Sequence, residues 1–340
     1  MLPALPDLAG DWLPDSLVKR PLSECLPPPV RHLQQAVSSI DLDASTVMAG
    51  SRLLPYDHLL IAAGSVPNYF NVPFPRDQMH PLATLEDARR IQQDFAAYLQ
   101  NETHPHLLVA GSGYTGLELA MSLFFRAKAN GKSCAVTIVD PTPILLPSLP
   151  EKQRQYVLDF LTAHGVQVRL DVAVESFNGR DALAGGITYQ NIFFCWAAGS
   201  TFAVPEIKGT VDRLRDGRLN VSADLSLPNY PNVFAAGDAA AIESHGEPLR
   251  KAVNFAYYGG QHMGNNVARR LHGKTTLPFH PLDLGWVVPF HETSIGRLPF
   301  GLWIHGHLGV RLHHLMCGIR NYSLNNFAGC LKLALKGKTP

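Results

Sequence analysis

Residues 106–140 read HLLVAGSGYTGLELAMSLFFRAKANGKSCAVTIVD, with the order of parts that a dinucleotide-binding unit requires. His106 to Ala110 predict a short buried strand, and Tyr114 to Asn130 predict a helix. A second strand follows at 135–139 and ends at Asp140. Strand, turn, helix and strand in this order form the start of a parallel dinucleotide-binding sheet. The stretch therefore predicts an α/β fold around a nucleotide site.

Three glycines, Gly111, Gly113 and Gly116, form a GxGxxG turn between the first strand and the helix. The first permits the tight turn, the second lets the backbone approach a pyrophosphate, and the third lets helix and strand pack closely. The pyrophosphate would lie on the N–H groups at the positive end of the helix, beside Tyr114 and Thr115. An ordinary glycine-rich turn is the alternative, but the flanking strand and helix favour the nucleotide site.

Asp140 lies 24 positions after Gly116. That is near the spacing of ~20 expected for a carboxylate that accepts hydrogen bonds from the adenosine ribose hydroxyls. The next residues are Pro141, Thr142 and Pro143, so no Arg or Lys follows that could pair with a 2′-phosphate. The pattern therefore predicts NADH rather than NADPH, whose extra phosphate Asp140 would repel.

Two other hydrophobic strands each run into an Ala-Ala-Gly turn, in YDHLLIAAG at 56–64 and in FFCWAAG at 193–199. Small residues in such turns let another backbone or a cofactor come close. The predicted contact residues are Ala63 and Gly64 in the first turn and Ala198 and Gly199 in the second.

A further buried strand, in NYPNVFAAGDAAA at 229–241, ends at Gly237 and Asp238. A carboxylate at a strand end can hold a polyol chain, and the small residues around it leave room for a flat cofactor. Asp238 could equally be a helix N-cap. Residues 251–271 predict a helix with small residues at Ala252, Ala256, Gly260 and Gly264, a spacing that suits close packing.

The chain has 340 residues, of which 46% are hydrophobic and 17% charged, so it is long enough for two globular domains. Its five cysteines form no CxxC pair, which argues against a disulfide framework or a zinc site and favours a reducing compartment. No signal peptide is recognisable, and no apolar run reaches the ~18 residues of a transmembrane helix.

From Thr293 to the C-terminus the chain has six Lys or Arg, four His and no Asp or Glu. The remaining residues have 23 basic against 28 acidic side chains, a formal charge of −5. A basic tail on an acidic body suggests an anionic partner, for which a membrane surface and a nucleic acid are the candidates.

With these motifs the sequence resembles the flavoprotein reductases that have two dinucleotide-binding domains, and among them the type II NADH dehydrogenases. The likeness runs from about residue 50 to residue 330, with the motifs in the family's order. The matching stretches are YDHLLIAAGSVPNYF (56–70), TLEDARRIQ (84–92), VAGSGYTGLELA (109–120), VTIVDPTPILLP (136–147), LTAHGVQVRLDVAVESF (161–177), FFCWAAG (193–199), NVFAAGDAAAI (232–242) and KAVNFAYYGGQHMGNNV (251–267).

The resemblance implies FAD and NADH as cofactors, with NADH delivering hydride to the flavin and the electrons passing on to a quinone. Gly237 and Asp238 match the flavin ribityl and pyrophosphate contact, and Ala63 and Gly64 the turn against the flavin domain. Glu118 matches the acid placed near the nicotinamide, and its alternative role is that of an exposed acid favoured by the helix dipole. Glu118 is therefore the candidate catalytic residue.

Family members begin with a strand, a GxGxxG turn and a helix that bind the ADP half of FAD, and no such element precedes residue 50 here. Either the true start lies upstream of Met1, or the flavin domain lacks its first strand. Loss of a central parallel strand would expose apolar faces and unpaired backbone groups. We therefore expect the 340-residue chain to bind FAD weakly or not at all.

The quinone-reducing members carry a paired Gln motif where this chain reads Tyr257-Tyr258-Gly259-Gly260. Tyrosines can stack on a quinone, but they can also be core aromatics, which is the commoner case. A soluble flavoprotein reductase with a protein or small-molecule acceptor is therefore one alternative function. A truncated, catalytically silent NAD-binding module is the other.

Apolar residues recur at helical spacing in 308–319 and 324–335, with basic residues among them. This pattern suits helices in the headgroup region of an anionic bilayer, so we expect a peripheral protein on the cytoplasmic side of the membrane, and no nucleic acid partner. Packing of these helices on the rest of the protein, or on a partner in a homodimer, is the alternative. The apolar set is Leu308, Leu312, Leu315, Met316, Ile319, Leu324, Phe327, Leu331 and Leu335, and the basic set is Arg311, Arg320, Lys332 and Lys336.

Four histidines, His305, His307, His313 and His314, fit no standard zinc spacing, so no metal site is expected. Cys195 is expected to be a core thiol.

Together, the motifs and the resemblance predict an α/β protein with two Rossmann-like dinucleotide-binding domains. The FAD domain is expected to be incomplete at its N-terminus, and the NAD domain to be inserted into it. Its segments are the first FAD portion (1–104), the NAD domain (105–209), the second FAD portion (210–285) and a C-terminal helical attachment region (286–340).

Overall fold

The computed structural model describes residues 2–202, 205–244, 246–319 and 324–336. The chain forms two compact units. Unit 1 comprises residues 1–27, 67–199 and 285–340, and unit 2 comprises residues 28–66 and 200–284. The α-helices of the described ranges are α1 (Leu5–Ala9), α2 (Leu85–Asn101), α3 (Tyr114–Ala129), α4 (Glu151–Ala163), α5 (Val253–Leu271), α6 (Gly306–Ile319) and α7 (Leu324–Lys336).

The strands are short and are numbered in chain order. The first twelve are β1 (Val37–Asp41), β2 (Thr46–Ala49), β3 (Arg52–Pro55), β4 (Leu59–Ile61), β5 (Ser65–Pro67), β6 (His80–Pro81), β7 (His106–Ala110), β8 (Ala135–Asp140), β9 (Gln167–Leu170), β10 (Val174–Phe177), β11 (Ala182–Ala184) and β12 (Ile187–Tyr189). The others are β13 (Phe193–Trp196), β14 (Ser200–Phe202), β15 (Glu206–Lys208), β16 (Leu219–Asn220), β17 (Ser226–Leu227), β18 (Tyr230–Ala235), β19 (Ala240–Ala241), β20 (Glu243–Ser244), β21 (Glu247–Pro248), β22 (Trp286–Phe290), β23 (Thr293–Arg297) and β24 (Trp303–His305).

A parallel sheet of five strands, in the order β6-β13-β7-β8-β9, forms the centre of unit 1. The two strands predicted at 106–110 and 135–139 are its neighbours β7 and β8, with Leu107 opposite Val136. Because all five strands are parallel, their carboxyl ends lie at one edge, where nucleotide sites form in such sheets. The α/β fold class is therefore confirmed.

Helix α2 shows how local chemistry defines an element of unit 1. Thr84 Oγ1 accepts a hydrogen bond from the Asp87 N–H at 3.1 Å, and the Thr84 N–H donates to Asp87 Oδ2 at 2.8 Å. This reciprocal capping box, with Thr84 as the N-cap, starts helix α2 at Leu85. Its buried face, with Ile91 and Phe95, packs into the core that also contains Leu107 and Leu117.

Residues 286–336 add an antiparallel sheet, β22-β23-β24, and the helix pair α6 and α7 to unit 1. The helices predicted within 308–319 and 324–335 are confirmed, while Arg320 lies outside the described residues. The inward face of α6 holds small and polar residues such as Gly309, His313 and Cys317. Much of the predicted apolar set, including Leu308 and Ile319, therefore faces outward.

Unit 2 contains several small sheets, of which β17-β18-β4 carries the two strands next to the predicted flavin contacts. The sequence predicts a buried strand from Tyr56 to Gly64, but β4 is only Leu59–Ile61 and Leu60 is 43% exposed. The reason is that β4 pairs with β18 alone and lies at the edge of its sheet.

The units differ in extent from the segments predicted by sequence. Residues 67–104 belong to unit 1 because β6 pairs with β13 of the central sheet and α2 packs into the unit 1 core. Residues 1–27 also belong to it, and Leu5 and Leu8 of α1 are buried in the same core. The assignment of each segment to a cofactor stays a prediction.

We predict opposite outcomes for two glycines of the same turn. A Cβ at Gly116 would lie 2.0 Å from the carbonyl oxygen of Gly111, so Gly116→Ala should cost at least about 2 kcal/mol of folding stability. A Cβ at Gly113 meets nothing within 4 Å, so Gly113→Ala should cost less than about 1 kcal/mol. Denaturant unfolding of both variants measures this, and equal losses would contradict the packing role of Gly116.

Candidate functional site

The GxGxxG turn at the carboxyl edge of the unit 1 sheet has one open and two closed glycine positions. Gly111 has φ +111°, and a Cβ there would lie 2.2 Å from the carbonyl oxygen of Ala197. Gly116 packs against Gly111 itself. Gly113 alone faces open space, at the N-cap of α3 where no side chain caps the helix. The turn thus combines tight packing with an exposed backbone surface that suits a pyrophosphate.

Asp140, at the end of β8, is held by hydrogen bonds from the GxGxxG turn and from the loop that follows β8. Its Oδ2 accepts from the Ser112 backbone N–H at 2.6 Å and from Ser112 Oγ at 2.9 Å. Its Oδ1 accepts from the Thr142 backbone N–H at 2.8 Å and from Thr142 Oγ1 at 2.6 Å. The carboxylate is therefore fixed in orientation beside the first residues of the GxGxxG turn.

These contacts also keep the carboxyl ionised. Burial raises the pKa of Asp140, but the hydrogen bonds from Thr142 and Ser112 outweigh that effect and hold the pKa below its ordinary value. Neither partner was singled out from the sequence. The signal for Thr142 was present, because a Ser or Thr two residues after an Asp at a strand end commonly closes an Asx-type turn.

Ala198 and Gly199 follow β13, which is the neighbour of β7 in the sheet. The Ala197 N–H donates to the Ala110 carbonyl at 2.7 Å, and this places the second Ala-Ala-Gly turn against the GxGxxG turn. Gly199 has φ +130° and is exposed. The structure therefore brings the predicted NAD residues of both turns to one edge of unit 1.

The two residues after Gly113 differ in their surroundings. Thr115 is exposed. Tyr114 is half-buried, with its ring centroid 5.0 Å from that of Trp286, the first residue of β22. The C-terminal sheet thus contacts the N-terminus of α3, an arrangement that the sequence motifs did not indicate.

Glu118, the candidate catalytic residue, is half-buried in α3 and lines a narrow crevice in unit 1 that has no room for a water molecule. Asp7, Ser122 and His291 line the same crevice. Asp7 is itself buried and lies 3.9 Å, Oδ2 to Nδ1, from His314. The surroundings of Glu118 within unit 1 are therefore α1 and the loop after β22, and its catalytic role stays a prediction.

The predicted flavin residues of unit 2 lie where β4 and β18 end side by side. Asp238 lies in a 3-10 helix, Gly237–Ala239, whose N-cap is Ala236, so Asp238 is not a helix N-cap. Its Oδ2 accepts a hydrogen bond from Ser65 Oγ at 2.8 Å. Ser65 directly follows the predicted Gly64, and its contact with Asp238 was not predicted.

The two glycines near this carboxylate, Gly64 and Gly237, differ in their surroundings. Gly64 has φ +70°, and a Cβ there would meet nothing within 4 Å. Gly237 has φ +66° and packs against Ala256 of α5, where a Cβ would lie 3.2 Å from the Ala256 Cβ. The predicted packing of α5 through small residues is thus present at Ala256, whereas Cβ atoms at Gly260 and Gly264 would meet nothing within 4 Å.

A groove of ≈ 830 Å³ runs along the open edge of β4. Its lining is mostly apolar and includes Val37, Ile40 and Ala63 beside β4 itself. Backbone groups and apolar side chains at such a sheet edge are open to another strand or to a ligand. The predicted flavin-contact residues of unit 2 therefore lie next to an open sheet edge.

The remaining polar candidates are the C-terminal histidines and Cys195. No group of three or more His, Cys, Asp or Glu in them could hold a metal ion. Cys195 is fully buried, as expected of a core thiol, and burial raises its pKa. No helix in the described part of the chain is both long and apolar enough to cross a bilayer.

Comparison with known proteins adds a family. Residues 28–260 match the sequence profile of the pyridine nucleotide-disulphide oxidoreductases. A type II NADH:quinone oxidoreductase of Staphylococcus aureus (strain NCTC 8325 / PS 47) is 25% identical over 298 residues, covering 82% of this chain and 74% of the relative.

Two solved structures share the fold. NDH2 from Plasmodium falciparum, in complex with NADH, has a TM-score of 0.85 at 14% identity and covers 100% of this chain and 92% of that one. The sulfide:quinone oxidoreductase of Aquifex aeolicus has a TM-score of 0.77 at 19% identity, with 100% and 87% covered.

We predict that Asp140→Asn weakens NADH binding by about tenfold, because the ribose hydroxyls would lose a charged acceptor. The preference for NADH over NADPH should also narrow, because the 2′-phosphate of NADPH would no longer be repelled by a carboxylate.

We also predict the pH dependence of NADH binding. Because the folded pKa of Asp140 is lowered, its carboxylate stays ionised at every pH above the ordinary value of 3.8. The Kd of the parent protein for NADH should therefore be constant from about pH 8 to about pH 5. The contribution of the Asp140 carboxylate to NADH binding should be lost only as the pH falls through the lowered pKa. Fluorescence titration measures both, and an unchanged Kd in Asp140→Asn would contradict the assignment.

Proposed function

We propose that this chain, which belongs to the pyridine nucleotide-disulphide oxidoreductase family and is a type II NADH dehydrogenase-like oxidoreductase, transfers hydride from NADH to FAD and electrons on to a quinone. One observation carries the proposal. The open Gly113 position at the N-terminus of α3 lies beside an Asp140 carboxylate held ionised by four hydrogen bonds. This is the pairing that a dinucleotide needs for its pyrophosphate and its ribose.

The residues that would hold NADH have separable tasks. Gly113 and the first turn of α3 offer N–H groups and the positive end of the helix dipole to the pyrophosphate. Asp140 accepts from the ribose hydroxyls and disfavours a 2′-phosphate. Ala198 and Gly199 carry no bulky side chain, so they leave the carboxyl edge of the sheet accessible.

The residues present in unit 2 fit the ribityl side of FAD. Asp238 is positioned by Ser65, and Gly64 leaves the adjacent backbone approachable. FAD, when bound, supplies the two-electron carrier between NADH and the acceptor. The sequence has a single GxGxxG turn, which lies in unit 1, so the ADP half has no equivalent phosphate turn in unit 2. Weak binding of FAD by this chain therefore remains our expectation.

Quinone is the proposed acceptor because the Staphylococcus aureus relative is a type II NADH:quinone oxidoreductase. The stretch that departs from the paired Gln motif lies on α5, where Tyr257 is exposed and its ring centroid is 5.1 Å from that of Tyr258. An exposed tyrosine ring can stack on a quinone ring, and Tyr258 beside it is half-buried. A protein or small-molecule acceptor is the outcome to test against it.

We also propose peripheral attachment to the cytoplasmic face of an anionic membrane through α6 and α7. Large apolar side chains stand exposed on both helices, at Leu308 and Ile319 of α6 and at Leu324 and Leu335 of α7. Soluble monomers rarely expose apolar side chains in such groups without a partner. The accompanying basic residues favour an anionic surface.

The reaction is tested with purified protein, NADH and a water-soluble quinone, with and without added FAD. We expect a flavin content well below one per chain, and NADH oxidation that rises as FAD is added. A ferredoxin-type protein serves as the matched alternative acceptor. NADH binding without oxidation at saturating FAD, whichever acceptor is used, would identify a catalytically silent NAD-binding module instead.

Attachment is tested by sedimentation with vesicles. The protein should sediment with vesicles that contain phosphatidylglycerol at low salt, less so at high salt because salt screens the charges, and little with neutral phosphatidylcholine vesicles. Failure to sediment at low salt would rule out the attachment. A concentration-dependent dimer under the same conditions would assign the exposed face to a second copy.

A further inference from the structure

The turn between β23 and β24 exposes apolar side chains where a surface turn ordinarily carries polar ones. The Leu298 N–H donates to the Leu302 carbonyl at 2.7 Å and closes the turn around a 3-10 helix, Pro299–Gly301. Phe300 is 100% exposed and Leu302 is 62% exposed. We call residues 298–302 the hairpin tip.

The backbone of the hairpin tip holds the phenyl ring outward in a conformation that a bulky residue rarely adopts. Phe300 has φ 62° and ψ 17°, in the left-handed region that Gly and Asn tolerate best. Strain of this kind at an exposed position is typical of a contact site rather than of a folding requirement. Because the side chain is fully exposed, no packing within the described residues offsets this strain.

The hairpin below the tip is rigid. Strand β23 pairs with β22 on one side and with β24 on the other, with Arg297 opposite Trp303. Ile295 and Phe290 of this sheet are fully buried. The tip is therefore presented on a fixed base rather than on a mobile loop.

Charge around the tip identifies the surface that it would meet. Arg297 precedes the tip and is exposed, and Arg311 is exposed on α6. Leu308, at the start of α6, is 68% exposed and is only eight positions from Phe300. No Asp or Glu occurs after Glu292 in the sequence. Exposed aromatic and aliphatic side chains, in a segment of the sequence that has basic residues and no acidic ones, suit the headgroup region of an anionic bilayer.

We propose that the hairpin tip inserts Phe300 and Leu302 into the headgroup region of an anionic bilayer, as a membrane contact in addition to those of α6 and α7. The inference rests on the proposed membrane attachment and adds a second anchoring point to it. Two weak contacts on one rigid body bind far more firmly than either alone, because the second binds at a high effective concentration.

The environment of position 300 is measured with a polarity-sensitive fluorophore. Among the five cysteines only Cys25 is exposed, so Phe300→Cys in a Cys25→Ser background gives one accessible thiol for labelling with NBD. Leu271→Cys in the same background is the control, since Leu271 is 69% exposed and lies in unit 2. We expect a blue shift and quenching by doxyl-labelled lipid for the label at 300 on phosphatidylglycerol vesicles, and neither for the label at 271.

Binding strength is measured with Phe300→Asn, which removes the ring but keeps a residue that tolerates the left-handed turn. Vesicle affinity should fall by about tenfold, as expected for losing a partly inserted aromatic side chain. Leu271→Asn should leave it unchanged. The melting temperature of Phe300→Asn should not decrease, which separates lost contact from lost folding.

Each other outcome overturns a distinct claim. If the protein sediments with vesicles while the label at 300 stays in water, the tip does not insert and attachment is by α6 and α7 alone. If nothing sediments at low salt, the membrane proposal fails and this inference with it. A blue shift that appears without vesicles as protein concentration rises would assign the tip to a second copy of the chain.

Discussion

The close approach of helix α3 to the turn before it is the constraint on which unit 1 depends. No side chain fits between Gly116 and the Gly111 carbonyl, and none fits between Gly111 and Ala197. These two contacts set the position of α3 relative to β7 and β13 of the sheet. Once they are made, Gly113 and the N-terminus of α3 lie at the carboxyl edge, where backbone N–H groups can face an anionic ligand.

Asp140 shows how a functional carboxylate can be positioned by its immediate neighbours. It accepts two hydrogen bonds from Ser112 of the GxGxxG turn and two from Thr142 of the loop after β8. Hydrogen bonds to the ionised form outweigh the penalty of burial, so charge and orientation are both maintained. In unit 2, Asp238 is oriented by a hydrogen bond that its Oδ2 accepts from Ser65 Oγ.

The two units differ in their central sheets. Unit 1 has five paired parallel strands around its candidate nucleotide site, whereas the three-strand sheet of unit 2 ends at β4 beside an apolar groove. An edge of this kind is open to water, to a ligand or to another strand.

The order of strand, glycine turn, helix and acidic strand end was determined by sequence alone, because each part depends on residues a few positions apart. The start of α2 after Thr84 is predictable for the same reason, since a capping box spans only four residues.

Tertiary structure decided the contacts between distant residues. It placed Ser65 on Asp238, 173 positions away, put Glu118 beside Asp7 and His291, and left β4 at a sheet edge. It also left Leu308 and Ile319 of α6 exposed, because the buried face of this helix includes Gly309, His313 and Cys317. Periodicity defines a helix face but not the surface that covers it, and only packing against the rest of the chain shows which face stays open.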